Sequence, residues 1–466
     1  MRMQVYGCRP SRFFSQLLSF VRFARRLISH KVTSKLGLGF SFASMVMLAG
    51  MPVRAELPVA QGGQASNSIS STTNPGWSAS GTATATYNAA NTRLDVNQNR
   101  TNDTFNWSSF NISNGSTVNF NQPSSESIAL NRINQVDPSR IYGSLNANGR
   151  VYLINNNGFL FGKNSSVNVN SLVASTLNIS DTVFENAGIT GAINLADPAQ
   201  RYAFSGGSDP DATIVIEQGA IITTQEQGRV LILAPHIINS GAIYTPGGQA
   251  ILAGSYDQVL IQTDTNAGGM LVEVGTGGKG ENLGSIIAER GNVSLVGLAV
   301  NQQGVVRATS SVDFNGSIRL VARHGASGFG AINTGGTQNT INTSVLSGDP
   351  AVSDPLQESG ITLGSSSVTE VVANTVTDEN GEQVTDPAMA LDEQSQKLPG
   401  ISLNAARVIM QGTDDNGTGA QLNARGGKVR IVGARDGTDP VGDFVMVHGL
   451  MSRATMSPWT HRATRL

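Results

Sequence analysis

Cysteine is almost missing from this 466-residue chain: its single thiol is Cys8. Beyond that position no disulfide, thiolate nucleophile, lipidated cysteine or cysteine-based metal site can form. Helical periodicity is hard to find after residue 56. Catalytic motifs are missing too. His236, His324, His448 and His461 stand isolated, without the HExxH spacing of a zinc protease. The run Gly275-Thr-Gly-Gly-Lys279-Gly lacks the spacing and the Ser/Thr of a phosphate-binding loop, and is more simply a turn. Asp414-Asp-Asn416-Gly417 lacks the remaining ligands of a calcium loop. Asp209 and Asp211 flank Pro210 as turn acids. These residues point to no enzyme, no cofactor and no metal.

What is present begins with a leader. Residues 1–55 hold nine Lys/Arg and no Asp or Glu, with an apolar core from Leu36 to Met51. Val53-Arg54-Ala55 places small residues at the −3 and −1 positions of a cleavage site after Ala55. That is the pattern of a signal peptide with a long basic front. The alternative is an amphipathic basic helix over Phe13 to Ile28; the apolar run is short for a membrane span. Without those nine cations, 22 of the 31 Lys/Arg face 33 Asp/Glu, a net charge of about −11. An acidic remainder is a poor partner for nucleic acid, and none is expected.

Gly, Asn, Ser and Thr then punctuate short runs of Val, Ile and Leu, the pattern of many short strands and tight turns. Residues 56–95, rich in Ser, Thr, Ala and Gly, read as an irregular first cap, and 181–211 as an excursion. A repeat follows. Gly219-Ala-Ile221-Ile-Thr223 leads to Gly228-Arg-Val230-Leu-Ile-Leu-Ala234, and equivalent pairs open at Gly241, Gly284 and Gly304. The spacings are 22, 43 and 20, with 43 read as two units. A period near 20 with two short strands per unit signals a β-solenoid, whose coils bury their apolar face only by stacking. In Val293-Ser-Leu295 the alternation sends one side chain inward and the next outward. A β-sandwich or propeller fits less well, because hairpin signals are rare and the unit is too short for a blade. Residues 331–400 read as a polar, acidic insertion or loop, 401–445 as further coils, and 446–466 as a basic tail with the texture of a truncation scar. Trp107, Phe105, Phe110 and Phe120 are expected to fill the core or the end cap.

The most specific stretch runs from Val118 to Thr176. It contains Val118-Asn119-Phe120-Asn121-Gln122-Pro123, Ala129-Leu130-Asn131-Arg132, Ile141-Tyr142-Gly143-Ser144-Leu145, and Leu153-Ile-Asn155-Asn156-Asn157-Gly158-Phe159-Leu-Phe-Gly162. Over roughly residues 90–300 it closely resembles the N-terminal secretion domain of the filamentous haemagglutinin family, the exoproteins of two-partner secretion in Gram-negative bacteria. The family usually has Asn-Pro-Asn-Gly followed by Ile, Val or Leu; here Asn156 replaces the Pro and Phe159 the aliphatic residue. Asn tolerates a left-handed backbone, so the turn can survive without the fixed φ of Pro.

The resemblance implies an all-β, right-handed parallel β-helix with an N-terminal cap and extra-helical loops, spanning residues 56–330. It implies export through Sec and the periplasm to a dedicated outer-membrane β-barrel transporter, whose periplasmic domains recognise the chain, and a secreted or cell-surface location. Asn155, Asn156, Asn157, Gly158, Asn131, Arg132, Asn119 and Asn121 become candidate secretion or turn residues, although Asn ladders between coils explain several of them structurally. Adhesion to a receptor or glycan on a host or neighbouring cell is the first expectation for the exported protein. A secreted polysaccharide lyase or hydrolase and a haem or haemopexin binder are the alternatives.

Overall fold

The computed structural model describes residues 56–447 except 65, 186–188, 190–201, 207–208, 265–268, 311–315, 323–359, 374, 378–380, 386–399, 406, 413–418, 425–427 and 434–442. The leader, Ala55, the Asp414 loop and the tail beyond 447 lie outside the described residues.

Strands of two to eight residues, most of them with alternating burial, build three long sheets. Among the described residues the first has 11 strands, the second 12 and the third nine. The chain visits them in a fixed cycle. Ser139–Ile141 lies in the third sheet, Ser144–Ala147 in the second and Arg150–Ile154 in the first; Gly158–Phe161, Ser166–Val169 and Ser171–Ser175 repeat the cycle one coil on. Successive coils pair in parallel, as where Val151 stands between Ala129 and Leu172. The all-β reading and the parallel β-helix are therefore borne out.

Two features of the repeat differ from the expectation. Each coil has three strands, not two. The third-sheet strand His236–Asn239 follows Ala234-Pro235 directly, without the glycine that flags the other two corners. And the 43-residue step from Gly241 to Gly284 is one coil, because Ala242–Tyr244 pairs directly with Ser285–Ile287. The surplus is an antiparallel hairpin, Gln258–Asp264 with Gly269–Val274, that happens to be about as long as a coil.

The repeating glycines answer to backbone packing. A Cβ at Gly248 would collide with the carbonyl of Gly228, and one at Gly291 with that of Gly248, so this corner closes only with glycine. Inside, columns such as Ile232–Leu252–Leu295–Leu320–Leu403 form one apolar core running along the stack.

The N-terminal end is capped, but by antiparallel strands rather than irregular chain. Val59–Ala60 pairs with the end of Asn102–Ser109, and Ser68–Ile69, Thr84–Tyr87 and Arg93–Asn97 form a meander at the edge of the second sheet. Trp77 lies 5.1 Å from Phe105 and 5.5 Å from Trp107, which in turn meets Phe110 edge-on at 5.5 Å. These rings are fully buried, as expected of the aromatics, and they close the end of the core. Buried Asp103 fastens the cap by accepting bonds from Ser78 Oγ at 2.8 Å and from the Ser80 N–H and hydroxyl at 3.0 and 2.6 Å.

A second core lies outside the solenoid. On the first sheet, Leu130, Tyr152, Val173, Leu231 and Ile251 stack on the outward side, and all are buried. Two excursions cover them. Residues after Ser175 form the short helix Asp181–Glu185, with Val183 and Phe184 buried, and the strand Phe204–Ser205. That strand joins the Gln258–Val274 hairpin in a three-stranded antiparallel sheet, adding Phe204, Val259, Ile261, Met270 and Val272. Farther along, the same outward column turns polar, at Ser294, Arg319 and Ser402.

Residues 331–400 are not one insertion. Gly360–Leu363 pairs with Ala299–Gln302, and Val368–Ala373 pairs with Val305–Ser310, so both are coil strands. Thr375–Thr377 and Gln383–Thr385 then form a small hairpin. The last described strand, Asp443–Val447, still pairs with Arg407–Gln411, so the coils reach past residue 445.

Candidate functional site at the asparagine turn

The signature residues meet at the corner where the first sheet passes into the third. Leu153 and Ile154 stand in register with Asn131 and Arg132 on the preceding coil, and the chain then turns through Asn155-Asn156-Asn157-Gly158. Gly158 supplies the left-handed backbone, at φ 107°, and a Cβ there would strike the Thr213 carbonyl. None of the three asparagines is a positive-φ residue, so the expected left-handed asparagine is not what preserves this turn. The Asn156 N–H has no hydrogen-bond partner among the described residues. The position therefore accepts the Pro of relatives or the Asn found here without loss of a main-chain bond.

The three asparagine side chains do different things. Asn155 is fully buried and looks back one coil, donating to the Asp137 carbonyl at 3.1 Å and to Ser139 Oγ at 3.0 Å. Its Oδ1 accepts the Asn157 N–H at 3.0 Å, which tightens the turn. Asn157 donates to the Gln135 carbonyl at 2.8 Å. Asn156 looks forward: its amide donates to the Thr176 carbonyl at 2.6 Å and to Asn178 Oδ1 at 3.3 Å. Those acceptors are the first residues of the excursion that covers the outer core.

Arg132 holds the same excursion. Its Nη2 donates to the Ile179 carbonyl at 3.0 Å and to Asp181 Oδ1 at 2.7 Å. Asn131, one residue earlier, points inward. It is fully buried, accepts the Trp107 indole N–H at 2.8 Å and donates to the Tyr152 carbonyl at 3.1 Å. It thus satisfies a tryptophan inside the aromatic end of the inner core. Asn119 and Asn121 are not brought to this corner. They sit on the second sheet in ladders: Asn119 donates to Asp95 at 2.7 Å and accepts from Asn146 at 3.0 Å, and Asn121 donates to Asn97 at 2.9 Å.

The clasp works on a dry surface. Burial pushes the Tyr152 hydroxyl up to about 12, against the opposing pull of Arg150. Burial, and then the charge of Arg150, lower the Arg229 guanidinium. The residues that the sequence reading left out are the receivers, Thr176, Asn178 and Ile179. Their one sequence signal is the unbroken apolar run of the strands they cover, Val230-Leu-Ile-Leu-Ala234 and Ala250-Ile-Leu-Ala253, which marks strands buried on both faces.

A capped parallel solenoid whose signature turn fastens an external core defines a β-helix module. The sequence model of the TPS secretion domain matches residues 72–336, more than half of the chain, and the chain belongs to that family. It is the secretion domain of a two-partner exoprotein, a secreted class that works with an outer-membrane transporter. Two curated relatives from Haemophilus influenzae are each named heme/hemopexin-binding protein. One is 28% identical over 178 residues, 37% of this chain and 18% of the relative. The other is 34% identical over 95 residues, 20% of this chain and 10% of the relative. The chain thus matches less than a fifth of the length of either. Among solved structures, the HMW1 secretion domain from Haemophilus influenzae aligns at a TM-score of 0.44 with 19% identity, over 78% of this chain and 86% of that one.

Proposed function

We propose that this β-helix is the export address of an exoprotein that captures haem or a haem carrier outside the cell. The observation that carries the export part is the family match over residues 72–336. The route runs through Sec and the periplasm, and the periplasmic domains of the transporter read the chain before it folds. Stacking supplies the physics of release. Each coil contacts only its neighbours, so coils form one at a time as the chain emerges, each on the edge of the last. The signature asparagines act in this scheme by locking the finished domain. No catalytic step is needed.

Capture of haem or haemopexin takes its support from the two curated relatives that carry that name. Adhesion to a receptor or glycan on a host or neighbouring cell is the second reading, carried by the resemblance to filamentous haemagglutinin. Expression of the full chain with and without its transporter tests the route: the chain should reach the medium only with the transporter. The secreted chain then separates the two readings. Retention of haemopexin on immobilised protein supports capture; retention of cells without haemopexin supports adhesion.

A further inference from the structure

Among the described residues the chain has three Asn-Gly pairs: Asn114-Gly115, Asn148-Gly149 and Asn157-Gly158. An asparagine followed by glycine can react with its own backbone. The glycine nitrogen attacks the asparagine Cγ, and glycine has no Cβ to shield the approach. The attack needs a free glycine N–H and an asparagine side chain that can swing onto it.

Two of the pairs are locked. The Gly149 N–H donates to Gln122 Oε1 at 3.0 Å, while the Asn148 side chain accepts the Gln122 N–H and donates to the Gln122 carbonyl, both at 2.8 Å. The Gly158 N–H donates to the Asn155 carbonyl at 3.0 Å, and the Asn157 amide is tied to the Gln135 carbonyl at 2.8 Å and to Asn155 Oδ1 at 3.3 Å.

Asn114-Gly115 is open. It forms the tip of a turn closed by the Ser116 N–H donating to the Ser113 carbonyl at 3.0 Å, with Gly115 at φ 77°. Both residues are exposed, and nothing lies within 4 Å of where a Gly115 Cβ would stand. The Gly115 N–H has no hydrogen-bond partner among the described residues. One contact reaches the side chain: Asn114 Oδ1 accepts from Asn164 Nδ2 at 3.4 Å. That oxygen gains negative charge as Cγ is attacked, so the donor favours the reaction rather than blocking it.

We propose that Asn114 is a self-modification site, where Gly115 closes a succinimide and Asn164 stabilises the intermediate. The bond from Gly115 N to Asn114 Cγ forms and the Cγ–Nδ2 bond breaks; the Gly115 amide proton leaves with Nδ2 as ammonia. Water then opens the ring at either carbonyl and leaves aspartate or isoaspartate. Water enters, ammonia departs and nothing is oxidised. The new carboxylate falls where the N-terminal edge is fastened, since the Ser113 N–H donates to the Glu56 carbonyl at 3.0 Å. Isoaspartate also adds a backbone carbon to a turn packed tightly on the next coil, because the Ser113 and Ser116 carbonyls already fill the space of a Gly143 Cβ.

Trypsin separates the three pairs, which fall in peptides 101–132, 141–150 and 151–163. After prolonged incubation of the secreted full chain at neutral pH, mass spectrometry should find the amide-to-acid mass gain in 101–132 alone, with isoaspartate at 114. In denaturant all three peptides should convert. Asn164→Ala should slow conversion several-fold in the folded chain and leave the denatured rate unchanged. Equal conversion of the three peptides in the folded chain, or none at 114, overturns the site. A folded rate unmoved by Asn164→Ala overturns the role of Asn164.

Discussion

The two faces of the first sheet are built on different principles. The inward face is repetitive. Each coil adds the same kinds of residue to columns that run from the aromatic cap to Met410, and any coil resembles the next. The outward face is particular. Its buried apolar residues lie between Ile128 and Val321, and they are covered by pieces of chain that occur once: a five-residue helix, a two-residue strand and one hairpin. Where the cover ends, the burial pattern changes. Gln249–Gly254 is buried at every residue, whereas Gly400–Ala405 alternates. The family match stops at residue 336, soon after the last outer-core residue. The outer core thus separates the secretion domain from a plain solenoid that follows it, and the signature residues Asn156 and Arg132 hold that cover in place.

The comparison can be broken from either side. The largest effect should come from Gly248→Val, which forces a side chain into the backbone of the adjacent coil; cooperative thermal unfolding should disappear. Leu252→Ala, inward and fully buried, should cost about 2–5 kcal/mol in a denaturant titration. Its neighbour Ile251 faces outward, so Ile251→Ala should loosen the cover and leave the coils beyond Val321 unchanged in hydrogen exchange.

Alkaline pH should probe the outer core through Tyr152, one of several tyrosines, with Tyr87, Tyr142 and Tyr244, that burial raises above the ordinary value. Tyr152 is held near pKa 12 when folded, against an ordinary value of 10.0. Between those values the unfolded chain loses a proton that the native chain keeps. Stability is therefore full below pH 10 and falls as pH rises, by up to about 3 kcal/mol. Tyr152→Phe should remove that part of the loss; an identical alkaline profile in the variant would contradict the assignment. The smallest effect is expected from Arg132→Ala. Asp181 is 72% exposed, so their ion pair contributes little, and about 1 kcal/mol should be lost, chiefly through the bond to Ile179.

Much of the inner core was legible in the sequence, because alternation and corner glycines are local signals. Val293-Ser-Leu295 and the column Gly228–Gly248–Gly291 announce a coil wherever they occur. The third-sheet strand His236–Asn239 was not legible, because Pro235 joins it to the strand before without a glycine. The step from Gly241 to Gly284 misled for a different reason: an excursion of nearly one coil length preserves the apparent period. The outer core depends on contacts between residues far apart in sequence, such as Phe204 with the strand containing Val259. Only the unbroken apolar strands hinted at it. At the candidate site, the Asn-Gly turn was visible as a motif, but its function as a clasp was not. That function lies in which carbonyls the side chains reach, and Thr176 and Ile179 carry no distinguishing side chain for the purpose.

If the signature turn secures the outer core independently of the coils, breaking it should free the cover and leave the stack intact. Hydrogen exchange on wild type and Asn156→Ala, read peptide by peptide, measures this directly. Protection should fall across 177–185 and 202–206, while 230–234 and 293–297 keep wild-type rates. Equal loss in all four segments, or no loss in the first two, would contradict it.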